Sequence, residues 1–384
     1  MQKQDIENRK TVRIFAWASF LNDLGSDIIH PIWPIFVTSI LRANMAALGF
    51  LDGLGDALVS ISTAVSGYLS DRLKKRKIFV WTGYFLGALS RIGYSLSTIW
   101  PHLIPFKIID RTGKIRSAPR DAIVADVSTD KNRGKNFGFL RTMDHLGAVF
   151  GIIICIIFFK ILGYKILFAI AAIPSLVSAL LVFLFIKEKK SEKVKIYRGI
   201  TLKDLDRNFK LFLILSSIFA LGAFSYSFLL IYAKNFGFKV GFVPVLYLIY
   251  TASASLFSLP FGKLSDKIGR KSVLMLSFLL WVLVCLILIL SPSQMMIIFT
   301  FILYGAHKGA LEPVQKTFVS ELAPEEFKAS CLGGYQMAIG LCALPASFIA
   351  GLLWETIGMS SPFYFSLFLT IVSGFMLFFV KKHR

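Results

Sequence analysis

Apolar runs of about 20 residues recur along the chain, separated by short polar segments. Each run is long enough to cross ~30 Å of hydrocarbon as a helix rising ~1.5 Å per residue. The pattern predicts twelve helical spans, over residues 13–41, 46–68, 77–98, 101–127, 136–160, 164–186, 210–233, 242–262, 272–290, 293–318, 329–354 and 361–380. An all-α membrane protein follows. One connection is long and rich in Lys and Arg, and it divides the spans six and six. The predicted organisation is an N-terminal six-helix bundle over 1–186, a cytoplasmic linker over 187–209 and a C-terminal six-helix bundle over 210–384. Within the linker, Thr201 to Asp204 reads as a capping box, which fits either a short surface helix or a solvated linker.

The polar segments set the orientation. Lys3, Arg9, Lys10, Arg72 to Lys77, Lys131, Arg133, Lys135, the linker, Lys263 to Lys271 and Lys381 to Arg384 fall on one side, and few basic residues fall on the other. By the positive-inside rule both termini are cytoplasmic, in a multi-pass protein of the cytoplasmic membrane. Composition agrees: 55% of the 384 residues are hydrophobic and 37 are Phe. The net charge of +21 would suggest nucleic acid in a soluble protein, but here it lies in the connections, and no aromatic-plus-basic binding module accompanies it. Cys155, Cys285, Cys331 and Cys342 lie inside apolar spans without metal-ligand spacing and read as small buried hydrophobes. The first span is too long for a cleaved signal and is expected to remain as a helix.

Two stretches repeat. GYLSDRLKKRK from Gly67 and GKLSDKIGRKS from Gly262 align at an offset of 195 residues, pairing Leu69 with Leu264, Ser70 with Ser265 and Asp71 with Asp266. The same offset aligns DVSTDKNRGKNFGF from Asp126 with ELAPEEFKASCLGG from Glu321. Duplicated halves are common in transporters. The glycine–aspartate–basic pattern after spans two and eight resembles the major facilitator superfamily, and span count, linker position and repeat carry the resemblance over nearly the whole chain. GKLSDKIGRK fits the pattern in full; GYLSDRLKKR has Lys74 where Gly is usual. RSAPRDAIVAD, RTMDHLGAVFG and LPASFIAGLLWE are similar to an efflux-like prokaryotic branch. The resemblance implies two pseudo-symmetric six-helix bundles that rock around a midplane site, and a conformational latch built on Gly67, Asp71, Arg72, Gly262, Asp266 and Arg270 that holds an outward-open state. Gly67 and Gly262 are expected to allow close helix approach.

Charged residues inside the spans are the candidates for chemistry, because each costs ~3 kcal/mol near the bilayer centre and must pair or face a wet cavity. All but Lys308 and Glu312 lie in the first six spans, leaving the second half with an apolar, aromatic wall. Asp23, Asp27 and His30 share one face of span one, with Pro31 and Pro34 just beyond. They could take up a proton or a cation, or pair with a buried Arg. Asp52 and Asp56 share a face of span two and are expected to meet span four or form an external gate. Span four holds DRTGKIRSAPRD, six charges in residues 110–121, with Pro119 predicting a kink. There, Arg111 and Arg116 are expected to face the carboxylates of spans one, two and five, and with Arg120 either to tune those carboxylates or to hold an anionic group of the substrate. Arg120 with Asp121 is expected to face the Asp71 latch. Asp144 and His145 form either a proton relay or a structural pair, and Lys308 and Glu312 are expected to bridge at i,i+4.

No catalytic constellation or P-loop is present, so the chain does not read as an enzyme, and no resident metal or cofactor is implied. Energy should then come from an ion gradient. The expected function is secondary active transport, as proton-coupled efflux of a small organic compound by a monomer whose partners are solute, protons and lipid. The alternatives are a divalent metal-ion exporter using Asp23, Asp27 and His30, and a non-transporting membrane sensor.

Overall fold

The computed structural model describes residues 2–73, 75–129, 132–188, 205–290, 293–324 and 328–381. No strand occurs among them, and the helices make twelve passes, several built from more than one piece. Helix α1 runs Gln2–Ile29 and resumes as Trp33–Ile35 and a π turn, Phe36–Ile40. The interruption falls at Pro31 and Pro34, which lack the N–H that a continuous helix needs. Thr38 Oγ donates to the Pro34 carbonyl at 2.8 Å. Helices α2 (Met45–Leu73) and α3 (Lys77–Leu96) follow. Helix α4 has three pieces: Leu103–Thr112, a 3₁₀ turn over Gly113–Arg116, and Ser117–Asp126.

Helices α5 and α6 occupy Arg133–Phe185 and meet at Gly163, whose φ of 67° suits glycine. Their partners on α1 show that the chain reverses there. Gly147 and Gly151 of α5 approach Phe20 and Leu24 in ascending order. On α6, Ser175 bonds Asn22 and Ser178 bonds the Ala18 carbonyl, in descending order. Helix α7 consists of Arg207–Gly222 and Tyr226–Asn235, the second piece capped by Ser225, which accepts from the Ser227 N–H at 3.2 Å. The remaining passes are α8 (Val243–Ile268), α9 (Arg270–Leu290), α10 (Gln294–Leu322), α11 (Lys328–Thr356) and α12 (Ser361–Leu377).

Among the described residues, six helical stretches are long and apolar enough to cross a membrane, and one of them, Lys135–Phe185, holds the α5–α6 pair. Leu96, Ile161, Phe185 and Phe375 are among many large apolar side chains left exposed, as a hydrocarbon solvent allows. The chain forms two compact units, one of Met1–Arg42 with Leu58–Ile196, the other of Ala43–Ala57 with Tyr197–Arg384. The first part of α2, up to Ala57, therefore groups with the second unit. The capping-box stretch from Thr201 to Asp204 lies outside the described residues.

The first unit has a core of Phe15, Val80, Tyr84, Val124, Leu140 and Val182, one or two from each of α1, α3, α4, α5 and α6. Helices α3 and α4 touch through glycine. A Cβ on Gly83 would run into the Gly113 carbonyl, and one on Gly113 would sit 2.7 Å from the Gly83 carbonyl. This backbone contact fixes the 3₁₀ turn against α3 and aims the side chains that follow it. In the second unit, Phe212 stacks on Tyr335 and Phe219 on Phe278, with ring centroids 5.7 and 4.6 Å apart.

Candidate transport site

The first unit encloses a cavity of about 500 Å³, counting its open mouth. Helix α1 contributes Asn22, Ser26, Ile29, His30 and Trp33, a stripe at helical spacing. Helix α3 adds Gly87, Arg91 and Tyr94, and α4 adds Lys107, Asp110, Arg111, Lys114 and Arg116. This stripe of α1 is offset by one residue from the Asp23–Asp27–His30 face expected from the sequence. A helix turns ~100° per residue, so that offset keeps the two carboxylates off the lining and leaves His30 on it.

Arg91 is 2% exposed and organises the wall. Its guanidinium donates to the Ala171 carbonyl at 3.0 Å, to Ser175 Oγ, to the Asn22 carbonyl at 3.2 Å and to Ser26 Oγ at 2.7 Å. All are neutral acceptors on α1 and α6, so one side chain of α3 ties three helices together. Across the cavity, Asp110 accepts from Ser90 Oγ at 3.3 Å and pairs with Arg111, also at 3.3 Å. The Lys107 ammonium stands 4.1 Å from the centre of the Trp33 ring. Arg116 lies over the Tyr84 ring and donates to the Gly113 carbonyl at 2.9 Å, rather than to a carboxylate. Lys114 makes no hydrogen bond or ion pair with any described residue.

Asp23 accepts from Asn22 Nδ2 at 2.9 Å, and Asp27 lies 3.4 Å from His30 Nδ1. The three-ligand metal set expected of Asp23, Asp27 and His30 is not formed. Among the described residues no three His, Cys, Asp or Glu side chains gather as a metal ion requires.

Asp144 belongs to a ring of alternating charge. Arg120 Nε donates to Asp121 at 2.9 Å, and Arg120 Nη1 lies 3.9 Å from Asp144. Arg141 reaches Asp144 at 3.1 Å and Asp121 at 3.5 Å. Arg120 also donates to Ser19 Oγ at 2.7 Å, joining the ring to α1. Arg120, expected to face the Asp71 latch, is held in this ring, and the Asp71 side chain lies outside the described residues. The 3₁₀ turn explains part of this: four residues at ~120° instead of ~100° rotate the rest of α4 by roughly 80°. The His145 relay is not formed either. His145 is exposed and bonds to nothing described, because neighbouring helical residues point ~100° apart and Asp144 takes the inward direction.

At the end of the first unit that carries the repeat, Arg76 pairs with Asp126, and Glu188 accepts from the N–H groups of Arg76 and Lys77 at 2.8 and 3.0 Å. In the second unit, Arg270 pairs with Asp266 at 2.5 Å and with Glu321 at 2.9 Å. Asp126 and Glu321 are the residues aligned by the second repeat, so each half closes a basic motif residue onto an acid at the end of α4 or α10. Of the expected latch residues, Arg72 is exposed and the Asp71 side chain lies outside the described residues. The motif glycines are not closely approached. A Cβ on Gly67 would make ordinary contact with Ala118 at 3.5 Å, and one on Gly262 would meet nothing within 4 Å.

The second unit supplies aromatic surface. Tyr250 lies 4.8 Å from Tyr304, and Tyr304 lies 5.4 Å from Trp281, whose N–H donates to Ser366 Oγ at 2.7 Å. The expected Lys308–Glu312 bridge is absent. Helical side chains lean towards the N-terminus, and Lys308 lies over the Tyr304 ring one turn earlier. Asp52, expected to meet span four or form an external gate, accepts from Ser225 and Ser227 at 2.8 and 2.5 Å, at the positive N-terminus of the second piece of α7.

The Major Facilitator Superfamily model matches residues 15–231 and again 211–384. The chain belongs to this superfamily. Its relatives within the superfamily include an MFS-type transporter of Methanocaldococcus jannaschii, 37% identical over an alignment of 388 positions that covers 98% of this chain and 96% of the relative. Multidrug resistance protein 2 of Bacillus subtilis is 25% identical over 96% of this chain and 95% of its own. Among solved structures, a nucleoside transporter, NupG, shares the superfamily fold with a TM-score of 0.82 at 15% identity, covering 97% of this chain and all of that one. The chain is therefore a multi-pass membrane transporter rather than an enzyme. Asp110 and Lys114 stand out in the sequence only as members of the charged stretch of span four, and Arg91 only as a further charge inside a span, without a place in the site. Asn22, Ser26 and Tyr94 were missed. The spacing of Asn22, Ser26 and His30, each four residues apart, was the available signal.

Proposed function

We propose that this transporter exports a small organic compound across the cytoplasmic membrane in exchange for protons, working as a monomer with both termini on the cytoplasmic side. The observation that carries the reading is the first-unit cavity, where charged side chains of α1, α3 and α4 line one open space. Solute occupies the cavity against Arg111, Arg116 and His30. Asp23, on α1 next to the lining residue Asn22, and Asp144 of the charge ring carry the proton. Asp27 holds His30 in place. The two six-helix halves, 1–186 and 210–384, alternate access, and the Arg76–Asp126 and Asp266–Arg270–Glu321 contacts hold one state. Export as the direction is supported by the multidrug-resistance relatives of Bacillus subtilis and of Streptococcus pneumoniae, the latter an efflux pump 23% identical over 84% of this chain.

The test is proton movement in proteoliposomes with an imposed pH gradient and a lumenal pH dye, challenged in turn with ethidium, chloramphenicol and benzoate. At least one should discharge the gradient through the wild type and fail to do so through an Asp23→Asn, Asp144→Asn double variant. No discharge by any of them, or equal discharge by the variant, would refute the reading.

A further inference from the structure

The cavity's charge goes beyond transport of an unspecified compound. Its lining holds five cationic side chains, Arg91, Lys107, Arg111, Lys114 and Arg116, against one carboxylate, Asp110. Adding Asp23 and Asp27, which lie beside it, still leaves two positive charges over. The nearby ring of Arg120, Asp121, Arg141 and Asp144 is balanced and supplies no relief. Excess charge of one sign inside a membrane is costly unless something of the other sign enters. Lys114 makes the imbalance specific. It shares the lining with Arg111, Arg116 and Asp110, yet its ammonium donates to none of them. An ammonium on the wall, with no acceptor among the described residues, is a vacant donor for an incoming oxyanion.

We propose that the solute of this cavity is a compact organic anion whose carboxylate or phosphate group is bound by Lys114 together with Arg111. Trp33 and Tyr94, on the same lining, supply flat apolar surface for the rest of the molecule. This rests on the reading of the cavity as the solute site. It has an energetic consequence: exporting an anion while importing protons moves positive charge inward in both steps. The membrane potential then drives the exchange along with the pH gradient.

The test is equilibrium binding to the purified full chain in detergent, followed by tryptophan fluorescence, because Trp33 lines the cavity. The probes are benzoate and phenyl phosphate, with benzamide and benzylammonium as neutral and cationic matches. Saturable responses are expected for the two anions and none for benzylammonium. Lys114→Gln should weaken anion binding about tenfold or more. That variant removes a charge repelled by its neighbours, so its melting temperature should hold or rise, which separates lost binding from lost folding. Lys263→Gln, an exposed residue of the second unit, should change nothing. Stronger binding of benzylammonium, an equal response to all four probes, or no saturable response to either anion would overturn the proposal. Anion binding without proton movement in the proteoliposome assay would leave this inference standing and sink the proton-coupled reading instead.

Discussion

The charge ring offers a case in which distance and burial give opposite rankings. Asp144 lies 3.1 Å from Arg141 and 3.9 Å from Arg120. The Arg141 side chain is 57% exposed, whereas that of Arg120 is 8% exposed and that of Asp144 13%. At an effective dielectric of ~20, unit charges 3.9 Å apart attract by about 4 kcal/mol, an upper bound for Arg120 and Asp144. The exposed pair is screened and should be worth only ~0.2–1 kcal/mol despite its shorter contact. Two double-mutant cycles separate these terms, one with Arg120→Gln and Asp144→Asn, the other with Arg141→Gln and Asp144→Asn. The assay is equilibrium unfolding in mixed micelles titrated with SDS. Coupling of ~2–3 kcal/mol is expected for the buried pair and below ~1 kcal/mol for the exposed pair. Equal couplings, or a larger one for Arg141, would refute the claim that burial sets the strength of this ring.

Further consequences concern the wall and the glycine contacts. Arg91→Lys keeps the charge but cannot span the acceptors on α1 and α6, and should destabilise the protein by ~2–4 kcal/mol, read as a lower melting temperature. Gly83→Ala forces a methyl group against the Gly113 carbonyl and should cost ~1–3 kcal/mol, while Gly262→Ala, with open space around it, should gain up to ~1 kcal/mol from helix propensity. Destabilisation by both changes, in the same melting assay, would contradict the packing described. Asp52→Ala removes the acceptor for Ser225 and Ser227 at a helix N-terminus and should cost ~1–2 kcal/mol in SDS titration.

The membrane class and the helical passes were legible because hydrocarbon imposes a length and a polarity on every span. Orientation rested on basic connections, and the 195-residue repeat pointed to paired halves. The site was legible by residue type but not by direction. Asp23 and Asp27 were assigned to the cavity face, yet Asn22 and Ser26 line it, because α1's rotation is set by glycine contacts with α5 that a helical wheel does not contain. Arg120 bonds Asp121 and Ser19, a placement that an unbroken α4 would not give. A 3₁₀ turn seated on Gly83 rotates everything after it. Pro119 correctly signalled an irregularity in α4, but the helix yields one turn earlier, at Gly113. His145 looked like a partner for Asp144 because the two are adjacent in sequence, and adjacency on a helix is divergence in space.

The central claim is that Asp23 couples protons to a solute bound in the first-unit cavity. It is tested most directly by comparing two activities of Asp23→Asn in the same proteoliposomes, using the probe compound that moves protons through the wild type. One is solute exchange at zero pH gradient, and the other is proton movement driven by a solute gradient. The account predicts that exchange persists while proton movement is lost. Proton movement at the wild-type rate in this variant would contradict it.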